Sequence, residues 1–271
     1  MTRQPRPRPP PASVVGVINR AERARSFGAV AEDYDRLRPS PPDAAVDWLL
    51  PDHAETVTDL AAGTGLLTRA LARRVPRVVA LEPDERMAAV LHANSPGARV
   101  VRAVGEQLPL AAATADGVFI QSAWHWLDPD RAIPEITRVL RPGGSFGALW
   151  ITRDRDVDWV AELDRARRPA QPAGVSPPVR EAARRARSRM VELPADATFG
   201  KSENASFRYT RRMTVADFLG MLATYSRIIT ADPADVAADA GRARAYLAQR
   251  FPGATELEVP LHAWTWRARR V

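Results

Sequence analysis

The sequence predicts an α/β fold built on a parallel sheet, and three observations carry that reading. Val57, Thr58, Asp59 and Leu60 form a buried-strand run that breaks at Gly63 and Gly65 and passes into a helix-like stretch over 66–72. A second apolar run over 77–81 closes on the carboxylate Glu82. From strand one onward, strand and helix patterns alternate five times, ending with a fifth strand over 145–151; such alternation implies parallel strands joined by right-handed crossovers. Ligands of these sheets lie at the carboxyl ends of the strands, near the switch point beside strand one.

The other elements are read in chain order. Residues 1–12 are rich in Pro and Arg and cannot bury apolar surface, which predicts disorder. A helix is expected over 14–26, and Phe27, Val30, Tyr34 and Leu37 recur at helical spacing through 26–37. Pro39, Pro41 and Pro42 interrupt before a helix over 43–50. After Ile151 the texture changes: 158–167 reads as a helix, 169–178 as a loop, and 180–191 as an Arg-laden amphipathic helix. Phe207 and Tyr209 alternate with polar residues in a strand over 206–213. Thr214 is placed to cap a helix over 215–224, and Asp232-Pro233 opens another that runs to Gln249. A final strand over 259–267 alternates Val259, Leu261 and Ala263 against His262, Trp264 and Trp266. No internal repeat is visible.

Gly63 and Gly65 lack Cβ atoms, so the backbone can turn sharply and a ligand can approach the N–H groups of the helix start. An acidic residue about 20 positions beyond such a turn, here Glu82, is placed to accept both ribose hydroxyls of an adenosine. A third glycine near Thr68, as a dinucleotide fingerprint would have, is missing, and so is a Tyr/Lys pair, the only lysine being Lys201. The chain instead carries Gly105-Glu106-Gln107-Leu108-Pro109-Leu110, then 115–120, then Arg138-Val139-Leu140-Arg141-Pro142-Gly143-Gly144, and between the last two Ala123-Trp124-His125-Trp126-Leu127-Asp128. This ordered set resembles the class I S-adenosylmethionine-dependent methyltransferases, in particular a small-molecule branch whose fourth strand ends in an Ala-x-His-Trp-Phe-Asp-like sequence. The resemblance covers about 27–151 and continues weakly beyond.

The resemblance implies a Rossmann-like sheet of parallel strands with an antiparallel last strand, an inserted helical cap over the substrate, and S-adenosyl-L-methionine as cofactor. It places Asp59 where the family orients the glycine turn and contacts the methionine amino group, a helix-capping Asp being the alternative. Ala61 stands where the family often has glycine. Met87 flanks the adenine or belongs to the core. Gly105 and Glu106 match the adenine-recognition position, although Val104 stands where many relatives carry an Asp. Gln121 and Ser122 fall beside the methionine portion. Tyr34 and Arg38 form a Tyr-x-x-x-Arg-Pro pattern that closes over the cofactor, against the alternative of a packing Tyr and a surface Arg. His125 is the one histidine placed where chemistry is expected, as a base for a hydroxyl or amine acceptor or as a hydrogen-bonded support between Trp124 and Trp126, which would wall the acceptor pocket. A carboxylate acceptor would need no base.

Composition bounds the reading. A chain of 271 residues is long enough for a full α/β core with a cap. No apolar run approaches the ~18 residues that span a bilayer, and the Arg/Pro-rich start has no apolar segment of the secretory kind. With no cysteine there is no disulfide, thiolate metal site or cysteine nucleophile, and no metal is expected. The net charge of +7 sits at the ends: 1–25 carries +5, and Arg267, Arg269 and Arg270 add three, leaving the body near neutral. That distribution speaks for a solvated tail rather than a phosphate footprint.

The expected organisation is therefore a basic tail (1–25), a cofactor-binding core (26–153), a cap (154–204) and a C-terminal segment completing the sheet (205–271). The expected function is methyl transfer to a small organic acceptor, a specialised metabolite in biosynthesis, in the cytoplasm, without nucleic acid or membrane partners and with homo-oligomerisation left open. The alternatives are a nicotinamide-dependent oxidoreductase and a non-catalytic adenosyl- or RNA-binding module.

Overall fold

The computed structural model describes residues 31–168, 191–225 and 232–271. The expectations for the tail, for helix 14–26 and for residues 169–190 of the cap, where its loop and Arg-laden helix are expected, lie outside the described residues.

Two short helices, α1 (Ala31–Leu37) and α2 (Asp43–Leu49), precede the sheet and are separated by the proline cluster. The strands are β1 (Thr56–Leu60), β2 (Arg77–Leu81), β3 (Arg99–Val101), β4 (Ala115–Gln121), β5 (Leu140–Arg153), β6 (Glu203–Thr214) and β7 (Glu256–Arg269), in the spatial order β3-β2-β1-β4-β5-β7-β6. The first five are parallel, and β7 enters antiparallel between β5 and β6. The chain moves outward from β1 to β3 and then returns to β4, so a crevice opens between β1 and β4 at their carboxyl ends.

Helices α3 (Leu66–Ala72), α4 (Glu85–Asn94), α5 (Pro129–Val139), α6 (Asp158–Ala166), α7 (Val215–Ala223) and α8 (Pro233–Arg250) complete the described elements. The cap signals act as the sequence suggests. Asp84, Asp128, Thr214 and Asp232 each accept backbone N–H groups at a helix start, and Pro129 and Pro233 occupy first-turn positions where no N–H is needed.

Period-two alternation divides the core between the two faces of the sheet. Val57, Val78, Phe119, Leu149 and Ile151 point to one face and pack with α2, α3, α6, α7 and α8. Leu60, Leu81, Val118, Ile120, Phe146, Ala148 and Trp150 point to the other, against α5 and the turn that follows β4. Gly147 makes room on the first of these faces: a Cβ there would lie 2.7 Å from Leu49 Cδ2 and 2.9 Å from Phe119 Cδ1. Helix α6, which opens the expected cap, packs Trp159 edge-on against Phe218 and Phe251 in the first core, with centroids 5.8 and 5.4 Å apart.

Two features differ from the sequence reading. The alternation fails once, because residues 102–114 between β3 and β4 form turns without a helix. Pro109 interrupts that stretch, and α5 takes its backbone groups: Glu135 accepts from Leu108 N–H (2.7 Å), while Arg138 donates to the carbonyls of Leu108 (2.9 Å) and Leu110 (2.7 Å). Strand β5 also begins at Leu140, five residues earlier than expected, and runs through Arg141-Pro142-Gly143-Gly144 by way of an irregularity opposite Ala115 and Gly117. No helix among the described residues is long and apolar enough to cross a membrane.

Candidate functional site

The crevice is lined by the turn after β1. Ala61, Gly63 and Gly65 all adopt left-handed backbone conformations, with φ of 53°, 58° and 89°. Gly63 is open: a Cβ there would meet nothing within 4 Å. Gly65 is closed, since its Cβ would fall 2.4 Å from Leu91 Cδ1 and 3.0 Å from Ser95 Oγ, so this glycine lets α4 pack onto the turn. Ala61 holds the left-handed conformation without being glycine, at a cost on the order of 1 kcal/mol. Ser122, at the end of β4, does the same with φ 56°, its N–H bonded to Leu149 O at 2.7 Å. Two strained non-glycine residues thus face each other across the switch point.

Glu82 ends β2 buried, 7% exposed. Its Oε2 accepts the Gly63 N–H and its Oε1 the Asp84 N–H, both at 2.8 Å. Burial raises its pKa above the usual carboxylate value, against the two backbone N–H groups that lower it. An ionised carboxylate has about four lone-pair positions, so one acceptor site on each oxygen is left for a hydroxyl. Asp59, one residue from the end of β1, is 1% exposed. Thr68, in the first turns of α3, donates its hydroxyl to Asp59 Oδ2 at 2.5 Å, whereas Oδ1 is buried with no hydrogen-bond partner. Burial, opposed by Thr68 and reinforced by the negative charge of Glu82, pushes the Asp59 carboxyl up to about 7. On the neighbouring strand Gln121 Oε1 is also buried and unpartnered. Two acceptors on adjacent strands, one of them a carboxyl that can ionise, are a match for an ammonium group.

The other expected residues are distributed around this centre. Met87 is buried in the first turn of α4, its N–H on the Asp84 cap. Glu106 Oε1 accepts the Asp128 N–H at 2.8 Å, tying the 102–114 segment to the start of α5. A Cβ at Gly105 would lie 2.4 Å from Leu127 Cδ2, so glycine is required there by packing, and Val104 beside it is 47% exposed. Trp124, His125 and Trp126 form a single 3₁₀ turn. Trp124 is buried against Phe146 at 5.4 Å between centroids, and His125 is exposed with its ring 4.6 Å from that of Trp126. Tyr34 lies in α1 and Arg38 just beyond it. Asp35 of α1 binds Arg69 at 2.7 Å, and Arg69 donates to Thr64 O at 3.0 Å, so this N-terminal element is fastened to the glycine turn. Among the described residues no group of three or more His, Asp or Glu side chains is placed to hold a metal ion.

Sequence reasoning missed Thr68, Arg153 and Tyr225. Arg153 carried a usable signal, a charge at the end of an apolar strand, which is the same logic that singled out Glu82.

Comparison with known proteins agrees with this geometry. A family model described as a methyltransferase domain matches residues 58–148. An uncharacterised methyltransferase of Mycobacterium bovis is 48% identical over 145 residues, which are 54% of this chain and 60% of that protein. A methyltransferase-like protein of Schizosaccharomyces pombe is 29% identical over 213 residues, 75% of this chain and 78% of it. A solved structure from Anaeromyxobacter dehalogenans, assigned only provisionally as a type II methyltransferase, superposes with a TM-score of 0.65 over 86% of this chain and 97% of that one, at 24% identity. The chain spans about 60% of the length of the mycobacterial relatives it matches. The glycine turn, the buried strand-end acids and the β3-β2-β1-β4-β5-β7-β6 sheet thus accompany a methyltransferase-domain match that covers residues 58–148.

Proposed function

We propose that this protein transfers the methyl group of S-adenosylmethionine to a small organic acceptor. The observation that carries the reading is the buried, unpartnered Asp59 Oδ1 one strand away from the equally unpartnered Gln121 Oε1, with Glu82 closing the other side of the Gly63 turn. An isolated buried acceptor costs roughly 1–3 kcal/mol, and a ligand that brings an ammonium and a ribose would recover that cost at both places. S-adenosylmethionine would supply a sulfonium methyl already activated for in-line displacement.

The protein's part is then to bind, orient and exclude water. Glu82 holds the ribose hydroxyls, Asp59 and Gln121 the amino group, and Gly63 permits close approach of the backbone. Met87, Gly105 and Glu106 border the adenine, Ser122 fixes the end of β4, and Tyr34 and Arg38 close the N-terminal side. The acceptor lies beside the turn of Trp124, His125 and Trp126. His125 supports the turn between Trp124 and Trp126, and a hydroxyl, amine or carbon acceptor would be the case in which it takes a proton.

Calorimetric titration with S-adenosylhomocysteine tests the binding half. Glu82→Ala is expected to reduce affinity by about tenfold or more, the loss of charge-assisted hydrogen bonds, and unchanged affinity would remove the assignment. Labelled methyl transfer to a panel of metabolites tests the catalytic half.

A further inference from the structure

Beyond the site just described lie two buried arginines: Arg153, at the end of β5, which the methyl-donor cradle does not use, and Arg38, just after α1, on the N-terminal side of the cofactor. Arg153 ends β5 and is 5% exposed. One nitrogen, Nη2, binds Asp164 at 2.7 Å, but Nε and Nη1 are buried and make no hydrogen bond with the described residues. Arg38 Nη1 is in the same condition. Both guanidinium carbons lie within cation–π range of the Tyr225 ring, at 4.3 Å for Arg38 and 5.7 Å for Arg153, and Arg38 also lies 5.3 Å from the Tyr34 ring. The acids nearby are engaged: Asp164 is shared with Arg155 at 2.6 Å, and Asp154 binds Arg208 at 2.9 Å. The two cations are felt locally, because they hold the Tyr225 phenol below its ordinary pKa although burial alone would raise it.

We propose that Arg38 and Arg153, with the Tyr225 ring between them in the sequence of contacts, form a subsite for a carboxylate of the methyl acceptor. Buried cationic N–H groups without partners are costly, and a guanidinium fork matches a carboxylate in geometry. The desolvation cost of a buried anion rises steeply with its charge, which favours a singly charged carboxylate over a phosphate dianion. The proposal rests on the methyltransferase reading and names the acceptor class for it.

The carboxylate is not the cofactor's own. Asp59 pairs with Phe119, which pairs with Gly147, and Arg153 stands six residues further along β5. That places its backbone two strands over, about 10 Å across and about 20 Å along, whereas the amino and carboxylate groups of methionine share one carbon. Across the sheet edge the order is Glu82 on β2, Asp59 on β1, Gln121 on β4 and Arg153 on β5, which puts Arg153 on the acceptor side.

The test uses the full chain saturated with S-adenosylhomocysteine and titrated with matched acids and amides: hexanoate and hexanamide, octanoate and octanamide, indole-3-acetate and indole-3-acetamide. The acids are expected to bind at least about tenfold more tightly than the amides. Arg153→Gln should erase the preference while S-adenosylhomocysteine affinity stays within about twofold of wild type, Arg153→Lys, which keeps the charge without the fork, should retain part of it, and Arg38→Gln should weaken binding of the acids. Circular dichroism and melting temperature select the variants that fold. Equal binding of acids and amides, no binding by any acid, or a preference that survives Arg153→Gln would overturn the proposal. So would a parallel loss of S-adenosylhomocysteine affinity in Arg153→Gln. A wild-type chain that does not bind S-adenosylhomocysteine would overturn the methyltransferase reading itself, whereas cofactor binding without an acid preference would overturn only this subsite.

Discussion

Asp59 is the residue on which the site's electrostatics turn. A carboxyl raised to about 7 in the folded protein is protonated there at pH values where the unfolded chain has already lost its proton near 4. Stability from this group is therefore full below pH 4, declines as pH rises to about 7 and stays low above it. Asp59→Asn keeps an acceptor for Thr68 and removes the titration. Relative to wild type it should gain roughly 2–4 kcal/mol between pH 4.5 and 7.5 in urea unfolding, and a constant difference over that range would show that Asp59 is ionised throughout. A cationic ligand should also expel the proton, so calorimetry near pH 6 in buffers of different ionisation enthalpy is expected to register proton release on S-adenosylhomocysteine binding. Ala61 makes a second prediction. Glycine there relieves the left-handed strain but loosens the unfolded chain, so Ala61→Gly should stabilise by up to about 1 kcal/mol, whereas β-branched Ala61→Val should destabilise by more than that. His125 is exposed on its turn, and His125→Ala is expected to lower kcat by less than about tenfold; a loss of about 10²-fold would make it the base.

At the scale of elements, the 102–114 connection shows where local pattern stops being informative. Val104, Leu108 and Leu110 carry no decisive period, Pro109 forbids a regular helix, and the order of the segment comes from Glu135 and Arg138 on a helix that lies more than 20 residues further along the chain. Glu135→Ala should consequently cost about 1–2 kcal/mol and expose 102–114 to limited proteolysis, with α5 itself intact. The cradle was legible for the opposite reason. Asp59 and Glu82 are charged residues at the ends of apolar strands, and Gly63 and Gly65 mark a turn that only a few backbone conformations can make, so each is explained by its immediate neighbours. Arg38, Arg153 and Tyr225 are separated by more than 70 residues at each step. Only the packing of α1, β5 and α7 brings them together, and no window of sequence contains that information.

At the scale of the whole molecule, the parallel half of the sheet was readable because strand and helix periods alternate in plain sequence order, and the expected antiparallel strand took its predicted place. Its partner arrangement was not readable, because cross-strand pairing such as Trp150 with Trp264 and Ser206 with Trp264 depends on contacts more than 50 residues apart. That arrangement has a consequence for the time course of folding. Among the described residues strand β6 touches the sheet only through β7, so residues 203–214 lack their strand partner until residues 256–269 have been synthesised, and β5 meanwhile lacks its β7 neighbour. Such pairing closes large loops before any contact rewards it. A chain stopped at residue 255 is therefore expected to hold β1–β5 as a fluctuating, aggregation-prone intermediate with fast amide exchange throughout β6. Supplying 256–271 as a separate peptide should restore protection to both flanking strands at once, since a single strand completes the hydrogen bonding of each.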